Sequence, residues 1–589
     1  MKNDNLKIAV YICHCGGNIS DVIDVKRVSQ ELATYPNVVI GKEYAFMCSS
    51  TGQDMVIEDI VKSGINRVVI AACSPALHEA TFRGALKRAG INQYLYEHVN
   101  IREQASWVHK KDKEGATLKA IALVKAAVEK MARQDELNTI KVPTTQRVAI
   151  IGGGIAGMRA AISSAAAGLD VVLIEKQSHL GGKLKRSSAI YPTNETAASV
   201  VETLEGLIEL NAKIKVFCNA KISSISGFAG NFQINFEFDE AKTEKVEAGV
   251  IIIATGFDHY KPYEGEYAYG LSNRVVTLPV FIDIMGTSAE KKLIYDGKTI
   301  NRIVFVHCVG SRQIDGIDNA QDNGKVNDYC SRVCCSSALF TINKLKDKYP
   351  DVDVMDIYSD MRSYGMEHET YYENASKKDI LFLRRPLEER PTITPLPDGT
   401  FSVKTVDVLT WNEELELIAD MIVLVTGMIP NEITDLLEYM KIPRSSDGFI
   451  QEVHPKLRPV ESANKGIYIA GTALGPMDII ETLQASNTAS SKAVALLSQP
   501  EIHMDPFVAV VEEDKCSGCG LCPQECSYEG ALCMRETDVN GNVKMVASVN
   551  QALCVGCGAC VAVCPTRAIN VAGWTLDQFD AMVEAIAKG

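Results

Sequence analysis

The feature that most constrains this chain is a repeated run of cysteines near its C-terminus. Cys516, Cys519, Cys522 and Cys526 have the spacing C-x2-C-x2-C-x3-C, and the same spacing recurs in Cys554, Cys557, Cys560 and Cys564 before Pro565. A cubane iron–sulfur cluster needs four converging thiolates, and where two such runs occur together the fourth cysteine of each ligates the other cluster. The spacing therefore predicts two [4Fe–4S] clusters that share ligands between the runs.

The exchange of fourth cysteines assigns a complete ligand set to each cluster. One set is Cys516, Cys519, Cys522 and Cys564, and the other is Cys554, Cys557, Cys560 and Cys526. Glycines at 518, 520, 556 and 558 are expected to let backbone N–H groups point at sulfurs. Ser527 stands where proline usually follows, which weakens one turn without removing a ligand. A pair of zinc knuckles or a disulfide scaffold is the alternative; we predict a two-cluster ferredoxin domain over residues 505–589.

Composition narrows the class of protein further. A chain of 589 residues should form three or four domains. A formal net charge of −14 disfavours non-specific nucleic-acid binding. No apolar run approaches the ~18–20 residues that span a bilayer, and the N-terminal residues lack a signal-peptide layout. Eighteen cysteines in motif-like groups then indicate metal ligands in a reducing cytoplasm.

The rest of the chain alternates strand and helix patterns, which predicts an α/β fold. Residues 1–112 are expected to form an N-terminal α/β domain with a parallel sheet, and residues 113–143 a connecting helix and linker. A Rossmann-type dinucleotide domain is predicted in two parts, 144–299 and 406–496. Residues 300–405 form an insert between these parts and are expected to resemble an NAD domain.

A glycine-rich turn predicts where the dinucleotide binds. A strand that begins at Arg147 leads into Gly152, Gly154 and Gly157, with Ile155 and Ala156 opening a helix. The three glycines allow the tight turn, the close approach of a pyrophosphate and helix–strand packing, and the helix N-terminus attracts the phosphates. The next strand ends at Glu175 and Lys176, where the carboxylate is placed to bind a ribose hydroxyl. A tight turn without any ligand is the alternative.

Further motifs favour FAD over NAD. A second glycine pair with Gly182 and Lys183 follows the acidic strand, and Ala254-Thr255-Gly256 resembles the ATG motif of flavoprotein disulfide reductases. A second such strand ends at Gly427. The stretch with Gly471 and Thr472 resembles the late flavin strand, although threonine replaces the usual aspartate. We therefore expect a thioredoxin-reductase-like FAD domain, with Lys183 near the flavin.

In the insert, cysteines stand where a second phosphate loop would be. A strand ends at Cys308, and Cys330, Cys334 and Cys335 follow. Four thiolates in one α/β unit suit another [4Fe–4S] cluster; zinc or a vicinal disulfide is the alternative. Because the phosphate loop is missing, we predict that this insert does not bind NAD(P)H.

These motifs together resemble the A-type subunit of heterodisulfide reductase. The stretches CVGSR and YCSRVCC carry the resemblance, together with RVAIIGGGIAGMRAA, AVYICHCGGNI, VVIAACSP, YPTN and AGTALGPMDI. The resemblance covers nearly the whole chain. It implies an electron-distributing flavoprotein in which Cys308, Cys330, Cys334 and Cys335 ligate a cluster close to the flavin. It also implies B- and C-like partner subunits, a hydrogenase-, NADH- or ferredoxin-linked input subunit, and a homodimer within a larger complex.

Three departures from the family pattern are visible. The spacer between Cys308 and Cys330 is lengthened by a polar insertion. No cysteine follows the YPTN stretch at 191–194, and the chain lacks room for an inserted ferredoxin domain, so it resembles a short form. Phe340 replaces a lysine that the family commonly places near the flavin. The loss of that cation disfavours electron bifurcation.

The N-terminal domain has cysteines of its own. Cys13, Cys15, Cys48 and Cys73 are expected at the carboxyl edge of the parallel sheet, where ligands bind in α/β folds. They predict a further [4Fe–4S] site, with packing as small hydrophobic side chains as the alternative. Elsewhere, Glu367 and His368 are expected to lie in a solvated loop, with a proton relay near the flavin as the alternative.

The predicted function is an iron–sulfur flavoprotein that relays electrons between ferredoxin-type clusters, FAD and partner subunits, with bifurcation or confurcation as variants. The first alternative is an NAD(P)H-dependent iron–sulfur flavin reductase resembling the small subunit of glutamate synthase. The second is a scaffold whose clusters only stabilise the fold.

Overall fold

The structure is a computed structural model that describes residues 6–186, 190–191, 195–238, 242–287, 291–321, 324–365, 367–539 and 542–588. Of the YPTN stretch, Pro192, Thr193 and Asn194 lie outside the described residues. The chain divides into two compact units. Unit 1 is Met1–Val142 with His503–Gly589, and unit 2 is Pro143–Ile502.

The N-terminal part of unit 1 is a parallel sheet covered by helices, as predicted. Its strands are β1 (Ile8–Cys13), β2 (Val38–Tyr44), β3 (Arg67–Ala72) and β4 (Tyr96–Asn100), in the order β2-β1-β3-β4. Its helices are α1 (Val25–Ala33), α2 (Ser50–Ser63), α3 (Pro75–Arg88), α4 (Lys113–Ala132) and a π-helix at Arg102–Ser106. Every residue of β1 and β3 is buried. Strands covered on both faces have continuous apolar sequences, which makes them predictable.

Two elements of this part differ from the sequence expectations. Strand β4 has the sequence YEHVN, whose polar residues give no strand signal. Helix α4, predicted as a connector, lies in the core of unit 1, with buried residues such as Ala116, Ala120 and Val124.

Unit 2 contains a five-stranded parallel sheet that begins with the dinucleotide strand. Strand β5 (Ile140–Pro143) precedes it along the chain, and the sheet consists of β6 (Arg147–Ile151), β7 (Asp170–Ile174), β8 (Ile214–Phe217), β12 (Val250–Ile253) and β25 (Ile467–Ile469). The order is β25-β12-β6-β7-β8. Helices α5 (Ile155–Ala166), α6 (Ala197–Glu209) and α11 (Ile479–Leu497) accompany it. The antiparallel strands β9 (Lys221–Phe228), β10 (Asn231–Phe238) and β11 (Lys242–Ala248) form a separate sheet.

A second five-stranded sheet of unit 2 carries the insert. Its strands are β14 (Val275–Thr277), β17 (Arg302–Val309), β18 (Asp353–Tyr358), β19 (Leu381–Arg384) and β23 (Met421–Thr426), in the order β14-β23-β17-β18-β19. Helices α7 (Leu278–Thr287), α8 (Cys334–Lys348) and α9 (His368–Ser376) belong to this part. The sequence instead assigns β14 and β23 to the two FAD parts, 144–299 and 406–496. A sequence shows a buried strand but not its partner, because pairing is set by long-range contacts.

The remaining elements of unit 2 are short. They are β13 (Phe257–His259), β15 (Ile294–Tyr295), β16 (Lys298–Thr299), β20 (Thr392–Pro395), β21 (Phe401–Asp407), β22 (Glu413–Ala419), β24 (Met428–Pro430) and α10 (Thr434–Met440). Strands β13 and β24 pair as an antiparallel ribbon. Strand β13 directly follows the Ala-Thr-Gly turn at 254–256, and β24 directly follows the Val-Thr-Gly turn at 425–427. Strand β26 (Glu501–Met504) leads out of the unit.

The C-terminal part of unit 1 consists of small antiparallel pairs. Strand β27 (Ala509–Val511) pairs with β30 (Ile569–Val571), and β28 (Leu532–Val539) pairs with β29 (Asn542–Val549). Helices α12 (Leu521–Gln524) and α13 (Ala559–Ala562) are one turn long, and α14 (Leu576–Ala587) packs against α4. Within the ranges that the structure describes, no helix is both long and apolar enough to cross a bilayer.

Candidate functional sites

The glycine turn after β6 has one open position and two crowded ones. A Cβ on Gly152 would lie 2.3 Å from the Ala254 carbonyl oxygen, and one on Gly157 would lie 1.8 Å from the Gly152 oxygen. A Cβ on Gly154 would meet no heavy atom within 4 Å. The turn is therefore closed at its ends and leaves free space above Gly154, at the helix N-terminus where a pyrophosphate binds. Ile155 and Ala156 are the first two residues of α5.

Glu175 is buried at the end of the next strand and holds this turn in place. Its carboxylate accepts the N–H of Gly153 at 2.5 Å and the N–H of Gln177 at 2.8 Å. A carboxylate offers about four lone-pair directions, so acceptor capacity remains for a ribose hydroxyl. Lys176 beside it is exposed.

The second glycine pair comes directly beside the first turn. The Gly181 N–H donates to the Gly153 oxygen at 2.9 Å, and a Cβ on Gly182 would lie 3.1 Å from the Gly154 Cα. Lys183, predicted near the flavin, has its Nζ 2.6 Å from Asp258 Oδ1, with both side chains about half exposed. The structure thus joins two motifs that are about 30 residues apart in sequence, and it gives Lys183 a carboxylate partner.

Several buried polar atoms around the Ala-Thr-Gly turn have no hydrogen-bond partner among the residues that the structure describes. They are Thr255 Oγ1, His259 Nδ1 and Asn431 Oδ1. Asn431 Nδ2 donates to the Thr255 oxygen at 2.5 Å, and the space beside Gly256 is bordered by Thr472 Oγ1 and Asn431 Nδ2. Buried polar atoms are nearly always hydrogen-bonded, so unpaired atoms beside the open turn fit a bound dinucleotide.

The sequence motifs do not identify His259 and Asn431 as residues of the dinucleotide site. Asn431 follows the Val-Thr-Gly turn by four residues, but a single asparagine in a loop gives no distinctive signal. Burial, together with the nearby charge of Lys183, lowers the pKa of His259 to about 4. The ring is therefore neutral at physiological pH and offers one donor and one acceptor.

The four cysteines of the insert come from one strand end, one loop and one helix start. Cys308 lies near the end of β17 with a φ of +64°, Cys330 precedes the helix, and Cys334 and Cys335 are the first residues of α8. Cys334 and Cys335 are 9% and 4% exposed. Backbone strain at a non-glycine residue such as Cys308 is often found at functional sites.

Electrostatic coupling shows that these four cysteines are neighbours. Hydrogen bonds from Cys334 and His307 lower the pKa of Cys335 well below its ordinary value, against the effect of burial. The pKa of Cys334 is raised by its hydrogen bond with Cys335, by burial, and by Cys308 and Cys330. A shared set of buried thiols of this kind suits a cluster, because thiolates are its ligands.

An aromatic ring packs against the backbone directly after β17. A Cβ on Gly310, just after β17, would lie 1.9 Å from the Tyr260 ring. Tyr260 is 3% exposed, and its hydroxyl donates to Glu266 at 2.9 Å. The first helix after β17 begins only at Cys334, so its N-terminus presents cysteines.

In the C-terminal part, two cavities bring together the two predicted ligand sets. One cavity is lined by Cys516, Cys519, Cys522 and Cys564. A second cavity is lined by Cys526, Cys554, Cys557 and Cys560. Each cavity therefore receives its fourth cysteine from the other run.

The glycines of this part have a left-handed backbone, while the N–H groups that bond to sulfur belong to residues outside the glycine loops. Glycines 518, 520, 556 and 558 have φ values of +73°, +74°, +70° and +78°. Backbone N–H groups donate to sulfur at 3.3 Å in two places, from Ala509 to Cys554 and from Ala568 to Cys564. Such hydrogen bonds stabilise thiolates, the form that binds iron.

The N-terminal cysteines lie at the carboxyl edge of their sheet. Cys13 ends β1, Cys73 follows β3, and Cys48 precedes α2. Arg102 Nη1 donates to Cys15 Sγ at 3.4 Å. Burial raises the pKa of Cys73 to about 11, with Cys15 and Cys13 adding to the effect while Arg102 opposes it. Two histidines near the set have other partners, since His14 pairs with Glu43 and His98 Nε2 lies 2.9 Å from the Cys73 oxygen.

All eighteen cysteines lie among the described residues, and none forms a disulfide. In the same part of the chain, no three His, Cys, Asp or Glu side chains are grouped so as to hold a single metal ion.

Two family models match the chain at these sites. The model described as pyridine nucleotide-disulphide oxidoreductase matches residues 146–302, and the model described as 4Fe-4S binding domain matches residues 547–570. The chain is therefore an iron–sulfur flavoprotein oxidoreductase with an electron-transfer role, and FAD and [4Fe–4S] clusters are its cofactors.

Curated relatives define the family. The second iron–sulfur A-type subunit of the CoB–CoM heterodisulfide reductase of Methanopyrus kandleri is 34% identical, over 91% of this chain and 92% of that protein. The A-type subunit of the H2:CoB–CoM heterodisulfide, ferredoxin reductase of Methanothermobacter marburgensis is 35% identical over the same shares. A heterodisulfide reductase A-like protein of Archaeoglobus profundus is 31% identical, over 100% of this chain and 99% of that protein. The chain belongs to the family of heterodisulfide reductase A-type subunits.

Solved structures with some similarity include thioredoxin reductases. That of T. acidophilum has a TM-score of 0.40 at 17% identity and covers 60% of this chain and 98% of its own. That of Lactococcus lactis has a TM-score of 0.39 at 20% identity and covers 60% and 99%.

Proposed function

We propose that this chain is the electron-distributing component of a heterodisulfide-reductase-like complex, passing electrons between ferredoxin-type clusters, FAD and partner subunits. The observation that supports the proposal is that the segment after β17 packs Gly310 against the Tyr260 ring and leads to the buried thiols of Cys334 and Cys335, where a second nucleotide loop is expected in an NAD(P)H-binding domain. A self-contained NAD(P)H reductase needs that loop. A chain without it has to receive electrons through other proteins.

The residues proposed to hold FAD surround the open turn above Gly154. They are Gly152, Gly154, Ile155, Ala156, Gly157, Glu175, Lys176, Gly182, Lys183, Ala254, Thr255, Gly256, Gly471 and Thr472, to which the structure adds His259 and Asn431. When bound, FAD exchanges electrons in pairs with one partner and singly with iron–sulfur clusters. The free space at the α5 N-terminus and the unpaired polar atoms at Thr255 and Asn431 support this placement.

Four [4Fe–4S] clusters are proposed. Two have the exchanged ligand sets of the C-terminal cavities, a third has Cys308, Cys330, Cys334 and Cys335, and a fourth has Cys13, Cys15, Cys48 and Cys73. The lining of the two cavities supports the first pair. The electrostatic coupling among the thiols supports the third and fourth.

The number of clusters can be measured as iron and acid-labile sulfide per FAD in the anaerobically purified chain. Four clusters correspond to about sixteen irons per FAD. About twelve irons per FAD would mean that the N-terminal cysteines hold no cluster. About eight would mean that only the two C-terminal clusters are present. Cys73→Ala is expected to lower the content by about four irons, whereas the exposed Cys533→Ala leaves it unchanged.

The input of electrons is tested with nicotinamide cofactors. We expect that neither NADH nor NADPH bleaches the flavin absorbance of the purified chain under anaerobic conditions, while dithionite does so. Rapid bleaching by NAD(P)H alone would favour the alternative, a self-contained reductase resembling the small subunit of glutamate synthase.

The proposed partners are B- and C-like subunits of heterodisulfide reductase and a hydrogenase-, NADH- or ferredoxin-linked input subunit, in a cytoplasmic complex that contains this chain as a homodimer. Co-expression with B- and C-like subunits should yield one assembly whose mass reports the stoichiometry. In that assembly, ferredoxin reduction that requires a disulfide acceptor would indicate splitting of electron pairs. Reduction independent of the acceptor would indicate a simple relay.

A further inference from the structure

An arginine with no carboxylate partner is buried beside the cysteines of the insert. Arg385 directly follows β19 and is 2% exposed. Its guanidinium donates to the backbone oxygens of Pro386 at 3.2 Å, Leu387 at 3.3 Å and Glu389 at 2.5 Å. Its Nε has no partner. Among the described residues, only carbonyl oxygens accept hydrogen bonds from this side chain.

The fourth contact of Arg385 leads to the cysteine set. Its Nη2 lies 3.5 Å from the backbone oxygen of His307, the residue before Cys308. The guanidinium of Arg385 therefore lies next to the peptide that joins His307 to Cys308, one residue from a proposed cluster ligand.

Arg312 is linked to the cysteine set directly through Tyr329 and indirectly through Asp360. It follows Cys308 by four residues, and its backbone N–H donates to the oxygen of Tyr329, which precedes Cys330, at 2.8 Å. Its Nη2 donates to Asp360 Oδ2 at 2.8 Å, and the Asp360 backbone oxygen accepts from Cys335 Sγ at 3.7 Å. In the described part of the chain, its Nη1 is buried without a partner. Asp360 offsets part of the charge of Arg312. Among the described residues no carboxylate contacts Arg385, and Asp318, which interacts with it electrostatically, is paired with Arg390 at 2.5 Å.

Burying an unpaired guanidinium is unfavourable unless an anion is nearby. A [4Fe–4S] core held by four thiolates has a net negative charge, and the uptake of one electron makes that charge more negative without any bond being made or broken. A buried cation stabilises the reduced form more than the oxidised form, since the attraction grows with the charge and is little screened away from solvent.

We propose that Arg385, assisted by Arg312, raises the reduction potential of the cluster held by Cys308, Cys330, Cys334 and Cys335. This inference rests on the proposed function, because it requires a cluster at these cysteines. The two arginines are positioning residues: they touch no reacting atom and act through the charge that they hold beside the thiolates. The electron would come from the reduced flavin of the same chain, and in a titration it comes from dithionite.

The test is a potentiometric EPR titration of the full-length chain, purified anaerobically. The signal of this cluster is identified as the one that is lost or altered in Cys334→Ser. In Arg385→Met we expect the midpoint potential of this cluster to fall by at least ~59 mV, which corresponds to a tenfold change in the one-electron equilibrium constant. Arg385→Lys retains the charge and should keep the midpoint within a threefold change. Arg312→Gln should shift it in the same direction by less, because Asp360 already neutralises part of that charge.

Lys377→Met is the control. Lys377 directly follows α9, its side chain is 66% exposed and pairs with Glu373, and solvent screens its charge, so the midpoint should not move. A purely structural role for Arg385 would lower stability in both the Met and the Lys variants without changing the midpoint.

The outcomes are distinguishable. An Arg385→Met chain with full iron content and an unchanged midpoint overturns the inference and leaves the proposed function intact. If Arg385→Met does not retain iron, the inference is tested with Arg385→Lys and Arg312→Gln. An unchanged midpoint potential in Arg312→Gln then overturns the inference. If no EPR component responds to Cys334→Ser, there is no cluster at this site, and the proposed function fails together with the inference.

Discussion

At the scale of single residues, the three glycines of the first turn have different surroundings. Gly157 is confined by the backbone oxygen of Gly152, which a Cβ would approach to 1.8 Å, while Gly154 borders open space. A side chain at Gly157 would therefore disturb the fold itself. A side chain at Gly154 would disturb only what binds above the turn.

Comparing Gly154→Ala with Gly157→Ala separates these effects. Gly157→Ala should lower the free energy of unfolding of the FAD domain by about 1–3 kcal/mol through overpacking. Gly154→Ala should leave the free energy of unfolding of the FAD-free domain unchanged. It should weaken FAD binding about tenfold or more, which is ~1.4 kcal/mol. Urea unfolding and FAD titration of the deflavinated chain measure the two quantities. Equal loss of stability in both variants would contradict the prediction.

His259 predicts a dependence of stability on pH. Its pKa is about 4 in the folded state and about 6.5 when unfolded. Between these values only the unfolded chain takes up the proton, so stability falls as the pH decreases through this range. At pH 5 the loss should be about 2 kcal/mol relative to pH 8.

The measurement is the urea unfolding free energy of the FAD domain at pH 8 and pH 5, followed by flavin fluorescence. His259→Gln should remove this part of the pH dependence. His179→Gln, at another partly buried histidine of the same unit, should retain it. An unchanged pH dependence in His259→Gln would show that other groups are responsible.

At the scale of elements, the C-terminal part consists of two similar halves, and each half contributes one cysteine to the cavity of the other. Helices α12 and α13 are one turn long and follow the glycines 520 and 558. Cys526 and Cys564 come just after these helices and line the opposite cavity. Two loops of this kind make one compact domain because neither cavity is complete without the other half.

Serine substitutions at Cys526 and Cys564 test this exchange. Cys564→Ser should perturb the EPR signal of the cluster held by Cys516, Cys519 and Cys522, while the other signal stays unchanged. Cys526→Ser should have the reverse effect, and the exposed Cys533→Ser should affect neither. If each substitution instead perturbed the cluster of its own run, the exchange would be wrong.

At the scale of the whole molecule, unit 1 is assembled from both ends of the chain. Lys130 of α4 is 2% exposed; its Nζ lies 2.6 Å from Glu97 Oε2 and 3.0 Å from the centre of the Trp574 ring. Gln578 of α14 donates to Gln134 at 2.8 Å, and both side chains are buried. The N-terminal sheet and the ferredoxin part therefore share a polar and aromatic core, so we expect them to unfold together.

Trp574→Ala should lower the unfolding free energy of unit 1 by about 2 kcal/mol or more, since it removes packing and a cation–π contact with a buried lysine. Hydrogen exchange should show loss of protection both in β3 and β4 and in α14. Val583→Ala, at a residue of α14 that is 64% exposed, is the control and should change stability little. Loss of protection confined to the C-terminal part would contradict the shared core.

Local sequence predicted the features that depend on spacing over a few residues. The cysteine runs, the three-glycine turn followed by Glu175, and the continuous apolar strands β1 and β3 are of this kind. The short strand β4 was not predictable, because its stability comes from pairing with β3 and not from its own composition.

The tertiary structure alone decided which distant segments meet. Strand β23 could be recognised as a buried strand, yet only its hydrogen bonds with β14 and β17 place it in the insert sheet. Arg385 and Asn431 acquire their roles from neighbours far away in sequence. Spacing along the chain determined the chemistry that this protein can hold, namely thiolates for clusters and a turn for a pyrophosphate. Burial and long-range contacts decided the charge and the hydrogen-bonding groups that surround those sites, because both depend on packing between residues that the sequence does not place side by side.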